Sequence, residues 1–333
     1  MISSPGGDHY YPQHVMVLAG GLSTERDVSW RSGRRLADAL RRHGFDVSLY
    51  DVDPQLTARL MGQSRDGGIA PDVVIPMLHG AQGEDGSLRE VLELLGVSYV
   101  GTQPDGCRVA WDKPCAKAAF RGAGLSTPQA VTLPQSAFAE LGASRLVAAI
   151  SPRLGMPVVV KPSRGGSALG ATLVRHADEL PAALVTCFGY GDVALIERYI
   201  PGTEVAVCVV DTGAGPLALP PVEIIPDGPL YDYHARYVAG STEFFVPARL
   251  SPEVIEAASQ AAVKAHLALG LRDLSRADLI VGHDGDIQVL EVCVAPGMTE
   301  TSLFPLAASA SGRDLGIWWR DLVLLAIARG RTT

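Results

Sequence analysis

Residues 274–305 read LSRADLIVGHDGDIQVLEVCVAPGMTETSLFP, and this stretch decides the fold. Two short β-rich runs, ADLIV and IQVLEV, flank the turn composition His283-Asp284-Gly285-Asp286, the pattern of a β-hairpin. Such a hairpin sets Asp278 and Glu291 side by side on neighbouring strands. Acidic side chains in otherwise apolar strands are costly to bury unless something positive lies between them. Mg²⁺ is commonly held by one or two such carboxylates, with phosphate oxygens completing its shell. Spacing alone leaves two readings open: a metal-holding pair, or two solvated carboxylates at a strand edge.

Working outward, a chain of 333 residues exceeds what one hydrophobic core supports, so two or three domains are expected. With 47% hydrophobic and 19% charged residues it can bury substantial cores and is not disordered. A net charge of −8 argues against nucleic acid as a partner. The odd, scattered set Cys107, Cys115, Cys187, Cys208 and Cys293 reads as reduced thiols of a cytoplasmic protein. The first dozen residues carry no signal-peptide pattern, and no apolar run reaches membrane-spanning length. Of 28 basic residues only Lys113, Lys117, Lys161 and Lys264 are lysine. Three of the four fall in candidate nucleotide segments, where a compact ammonium suits phosphate.

The opening segment reads strand (VMVLA), Gly20-Gly21 turn, amphipathic helix stopped by Gly44, then strand (DVSLYDV). DVVIPMLHG adds a strand ending at His79-Gly80, and GSLREVLELLG a further helix. This alternation implies a parallel α/β sheet with ligands at the carboxyl ends of its strands, where Glu25 and His79 stand. From about residue 106 a smaller α+β unit follows, then a larger C-terminal one. The closing DLGIWWRDLVLLAIARG is an apolar helix suited to a core or a subunit contact.

Four segments carry candidate chemistry. In VVVKPSRGGSALG, Lys161 ends an apolar strand before a loop of Gly165, Gly166, Ser167 and Gly170. Small residues there let backbone N–H groups approach an anion, although a Gly-rich hairpin without ligand has the same composition. In ALIERYIPGTEV, Glu197 and Glu204 can accept hydrogen bonds from an exocyclic amine or ribose hydroxyls. PLYDYHARYVAGSTEFFVP sets Tyr231, Tyr233 and Tyr237 with Arg236 in a loop that reads either as a tyrosine-decorated surface or as a water-excluding lid. GMTETS, after the Pro296-Gly297 turn, can offer N–H groups and Ser302 to a small anionic substrate.

In this order, with LAGGLSTERDVSWRSG, LHGAQGEDGSL and WDKPCAK added, the segments resemble the D-alanine–D-alanine ligases of the ATP-grasp superfamily over nearly the whole chain. The resemblance implies an α/β, three-domain ATP-grasp fold: an N-terminal parallel α/β domain at 1–105, a central α+β domain at 106–194 and a C-terminal α+β domain at 195–333. It implies ATP-driven formation of D-alanyl-D-alanine for peptidoglycan through an acyl phosphate, by a cytoplasmic homodimer using two Mg²⁺ or Mn²⁺ ions. Matched positions give Lys113, Lys161 and Arg236 to the ATP phosphates, Glu197 with the backbone near Arg198 and Ile200 to adenine, and Glu204 to ribose. Asp278 and Glu291 become metal ligands, with Cys293 at the third ligand position. Arg276 and Gly297 stabilise the oxyanion. Glu25, Val28 and His79 meet the first amino acid, Ser302 and Leu303 the second, and Tyr237, Ser167 and Glu25 form a trio linking lid to substrate. This chain departs from the pattern in Cys293 for a usual Asn, Ala168 for a Ser, Arg236 for a Lys, and Trp30 for a smaller residue near the first amino-acid site. Those departures keep open a ligase of other amino acids, or a nucleotide binder without catalysis.

Overall fold

The computed structural model describes residues 13–63, 69–238 and 240–330, so the leader reading of the first dozen residues lies outside the described residues. Strands β1 (His14–Leu18), β2 (Asp46–Tyr50) and β3 (Val73–Pro76) form a parallel sheet in the order β2-β1-β3. Val15 to Leu18 are all buried, as expected of a parallel strand covered on both faces. The chain leaves β1 through Gly20 and Gly21, whose φ angles of 102° and 77° favour glycine. A Cβ on Gly20 would stand 2.5 Å from Asp51 Oδ1. The helix Arg26–Arg42 starts from this turn, directly after Glu25.

The central unit is an antiparallel sheet, β4 (Ala130–Pro134), β5 (Val158–Pro162), β6 (Thr172–Val174) and β7 (Val193–Arg198), ordered β4-β7-β5-β6. Ile150, Leu154, Val160, Leu184 and Ile196 give it a core of its own. The Gly/Ser loop bridges β5 and β6, with Ser167 and Ala168 both in the left-handed region (φ 51° and 53°).

The C-terminal sheet comprises β8 (Gly202–Val210), β9 (Leu217–Ala218), β10 (Val222–Pro226), β11 (Thr242–Phe245), β12 (Leu274–Gly282) and β13 (Ile287–Cys293). Its order is β11-β10-β8-β12-β13, with β9 on β8. Asp278 pairs with Glu291 across the β12–β13 hairpin. The register then shifts, because Leu279 pairs with Val289 and Leu290 is an extra residue. Strict alternation from the buried Val289 would have turned Glu291 into the core as well. The bulge instead leaves Val289 and Val292 in the core, and Leu290 and Glu291 on the cleft side.

One core joins the two ends of the chain. Val15 and Leu36 share it with Ala206, Phe304, Trp319 and Leu322. The final helix, Leu315–Gly330, lies against Arg26–Arg42 and is part of that core. Among the described residues no helix is long and apolar enough to cross a membrane.

Candidate active site

Two adjoining cavities lie in the cleft between the sheets. The larger, about 490 Å³, is bounded by Lys161, Glu197, Arg198, Ile200, Glu204 and Asp278. The smaller, about 100 Å³, is bounded by Glu25, Val28, His79, Ser167, Arg276, Gly297, Ser302 and Leu303. Lys113, Arg236 and Glu291 line both. Of the site residues expected from sequence, Tyr237 alone is not placed: its side chain lies outside the described residues, though its backbone closes the helix Tyr233–Tyr237. That helix corrects the reading of this segment as a loop. Asp232 caps it by accepting from the Ala235 N–H at 3.0 Å, and Arg236 stacks over the Tyr231 ring at 4.2 Å. Trp30, on the same helix as Val28, borders Gly20 and lies under Arg34.

Charge is concentrated where the cavities meet. Arg276 grips Asp278 through Nε at 2.6 Å and Nη2 at 2.7 Å, because positions two apart on β12 project to one face. Burial alone would raise the Glu291 pKa, but Lys113, Lys161, Arg236 and Arg276 hold it at about 2. Lys113 Nζ is 3.7 Å from Glu291 and donates to the Gly165 carbonyl at 2.7 Å, tying the Gly/Ser loop to the acidic hairpin. Lys161 lies 2.5 Å from Glu197 Oε1. Burial pushes Glu204 up to about 7, with Asp278 and Glu291 adding to the rise and Arg236 opposing it.

The smaller cavity is built across the shared core. Ser167 donates to Glu25, which joins the Gly/Ser loop to the start of Arg26–Arg42. His79 Nδ1 is 3.1 Å from the Ala295 carbonyl, and Ser32 accepts from the Met298 N–H at 3.0 Å, so two N-terminal side chains bracket Gly297. A Cβ on Gly297 would lie 2.8 Å from Ser302 Oγ. Ser302 stands at the N-cap position of the helix Leu303–Ala310 with its hydroxyl on Thr299, which leaves the first N–H groups of that helix suited to a carboxylate. Cys293 donates its thiol to Glu84 Oε2 at 3.5 Å. Burial keeps that thiol protonated. Burial, with Glu25 nearby, also raises Glu84 to about 7.

Residues 54–102 match the family model described as D-ala D-ala ligase N-terminus, and residues 119–323 that described as D-ala D-ala ligase C-terminus. The chain belongs to the D-alanine–D-alanine ligase family. It is 40% identical over 300 residues to the D-alanine–D-alanine ligase of Anaeromyxobacter dehalogenans (strain 2CP-C), covering 90% of this chain and 92% of that one. The D-alanine–D-alanine ligase of Bacillus anthracis complexed with ATP superposes with a TM-score of 0.79 at 28% identity, covering 97% of this chain and 99% of that one. The VanG D-Ala:D-Ser ligase of Enterococcus faecalis gives 0.81 at 26% identity, covering 95% and 100%.

Two residues of this ligase-family cleft were missed in the motifs. Glu84 lies five positions after His79 and folds back to accept the Gly80 N–H at 2.8 Å. Its signal was the acidic residue within LHGAQGEDGSL, from which only His79 was assigned a role. Lys117 is one helical turn beyond Lys113 and is buried against Glu197 at 2.8 Å. The scarcity of lysine pointed to it without giving it a role.

Proposed function

We propose that this chain is an ATP-dependent ligase that joins two D-alanine molecules into D-alanyl-D-alanine for peptidoglycan precursor synthesis. The observation that carries the reading is the junction. Arg276, clamped on Asp278, and Glu291 stand where a cavity of nucleotide size meets one fit for small amino acids. In this reading Lys113, Lys161 and Arg236 hold phosphate, Glu197 and the backbone at Arg198 and Ile200 receive adenine, and Glu204 receives ribose. Glu25 takes the first ammonium group, with Val28 and His79 beside it. Ser302 and Leu303 take the second carboxylate.

Asp278 and Glu291 offer hard carboxylate oxygens opposed in register, a donor set that fits Mg²⁺ or Mn²⁺. Among the described residues no group of three or more His, Cys, Asp or Glu is arranged to hold a metal, so the phosphates and water would complete the coordination of the two ions. Cys293, turned onto Glu84, is left out of that set. Bound there, the metal would neutralise phosphate charge. The first D-alanine's carboxylate oxygen attacks the terminal phosphorus and ADP departs. The neutral amine of the second attacks the resulting acyl carbon, and the oxyanion accepts from Arg276 and the Gly297 N–H before phosphate is expelled, taking up the proton that the amine loses. Arg236 and the Gly/Ser loop close over the junction and exclude water. The division at 1–105, 106–194 and 195–333, a homodimer and a cytoplasmic location belong to the same proposal. Five free cysteines agree with a reducing compartment.

The test is ADP release across a panel of D- and L-amino acids, with mass detection of product. ATP turnover that requires D-alanine and yields its dipeptide is the expected result. Hydrolysis independent of amino acid, or no dipeptide with any amino acid, rejects the ligase reading. A second reading, with a different amino acid such as D-serine in second place, is favoured by the likeness to the D-Ala:D-Ser ligase and by the Cys293–Glu84 contact in the substrate half. The product mass separates the two.

A further inference from the structure

Lys117 has no part in the chemistry above, yet it is the more deeply buried of the two lysines on Glu197. Its side chain is 1% exposed. It projects from the helix Lys113–Gly122 on the same face as Lys113, four residues earlier. Its ammonium donates to Glu197 Oε2 at 2.8 Å and to Thr127 Oγ1 at 2.7 Å. Glu197 Oε1 is left to Lys161 at 2.5 Å. One carboxylate therefore stands between two ammonium groups.

We infer that Lys117 is a positioning residue for the nucleotide: by occupying one oxygen of Glu197, it leaves Lys161 with unbalanced positive charge for phosphate. The inference rests on the nucleotide site proposed above. Two lysines on one carboxylate leave a single positive charge over, and the next carboxylate, Glu291, already has Lys113 beside it at 3.7 Å. Without Lys117, Glu197 would be free to chelate Lys161 through both oxygens, and the pair would present no net charge to the phosphates. A low local dielectric makes that difference count. The cluster also has the marks of a maintained device. Burial lowers the Lys117 pKa and opposes its charge, with Glu197 restoring part of it. An ion pair kept under that opposition is weak evidence for stability, since apolar replacements of buried pairs are often neutral or better.

The experiment is equilibrium binding of ATP and of adenosine to the full chain, with folding checked by thermal melting. The proteins are wild type, Lys117→Met, Lys161→Met, Glu197→Gln and the double variant Lys117→Met/Glu197→Gln. Lys117→Met is expected to weaken ATP about tenfold or more while adenosine changes less than about threefold, the scale of one charge-assisted contact. In the Glu197→Gln background the same replacement should cause no further ATP-specific loss, because no carboxylate remains to compete for Lys161. Equal weakening of ATP and adenosine marks a merely structural lysine and overturns the inference. So does an ATP-specific loss that persists undiminished in the Glu197→Gln background. Should Lys117→Met fail to fold, the charge-balanced double variant read against Glu197→Gln decides on the same criterion. Loss of ATP affinity in Lys161→Met without loss in Lys117→Met overturns this inference alone. No loss in Lys161→Met overturns the nucleotide assignment and the inference with it.

Discussion

Glu84 illustrates what a side chain acquires from its surroundings and cannot display in a sequence. Burial and the neighbouring Glu25 lift its pKa from the ordinary 4.5 to about 7, while the Gly80 N–H and the Cys293 thiol pull the other way. A carboxyl group raised in this way binds its proton more tightly when folded than when unfolded. Below about pH 4.5 both states hold the proton and stability is unaffected; between there and about pH 7 the unfolded state releases it first, and stability falls as pH rises. Glu84→Gln should abolish that share of the decline, so the variant gains stability relative to wild type between pH 5 and pH 8. Denaturant titrations of both proteins without ligand check this, and parallel pH profiles would count against it. At this scale the motifs disclosed which positions meet in the cleft: Lys161, Glu204 and Arg276 all border it. They did not disclose that Lys161 reaches Glu197, that the Cys293 thiol turns toward Glu84, or that Trp30 borders Gly20. Those depend on rotamers and on partners distant in sequence.

Among the elements, the β12–β13 hairpin was legible because its turn composition and apolar runs are local signals, and the pairing of Asp278 with Glu291 follows from them. The bulge was not legible. Nothing in QVLEVC says that Leu290 is supernumerary; only the competing demands of Val289, Val292 and Glu291 for opposite faces of the sheet fix it. Deleting Leu290 should restore regular pairing with Glu291 still opposite Asp278 on the cleft side, because Val289, Glu291 and Val292 then alternate core, cleft, core. Leu290→Ala keeps the bulge. Melting curves and ADP release on both variants form the comparison, and both should retain ADP release. Loss of ADP release in the deletion alone would mean that Glu291 has left the cleft face, against the pairing described. The Tyr233–Tyr237 helix escaped the sequence for a related reason: five residues are too few for helical periodicity to show, and the Asp232 cap that starts it needs the fold to be recognised.

For the molecule as a whole, the described residues form three sheets, but they do not have three separate cores. The central sheet keeps its own, whereas the first and last segments share one. Contacts of the final helix with the helix Arg26–Arg42 and with β3 join opposite ends of the chain, which local pattern cannot reveal. Trp319 is among the largest fully buried side chains in that shared core. Trp319→Ala should cost roughly 3–5 kcal/mol. Calorimetry should show the loss in the transition that melts the N-terminal and C-terminal sheets together; a transition confined to the C-terminal sheet would contradict the shared core. The same arrangement governs how the protein is born. On the ribosome the central unit emerges with everything its core requires, while the N-terminal sheet, covered in part by Leu36, Ala37 and Leu40, must wait for Trp319 and Leu322 to complete its core. Truncation before the final helix would take Trp319 and Leu322 from the core that the first-made sheet shares with them.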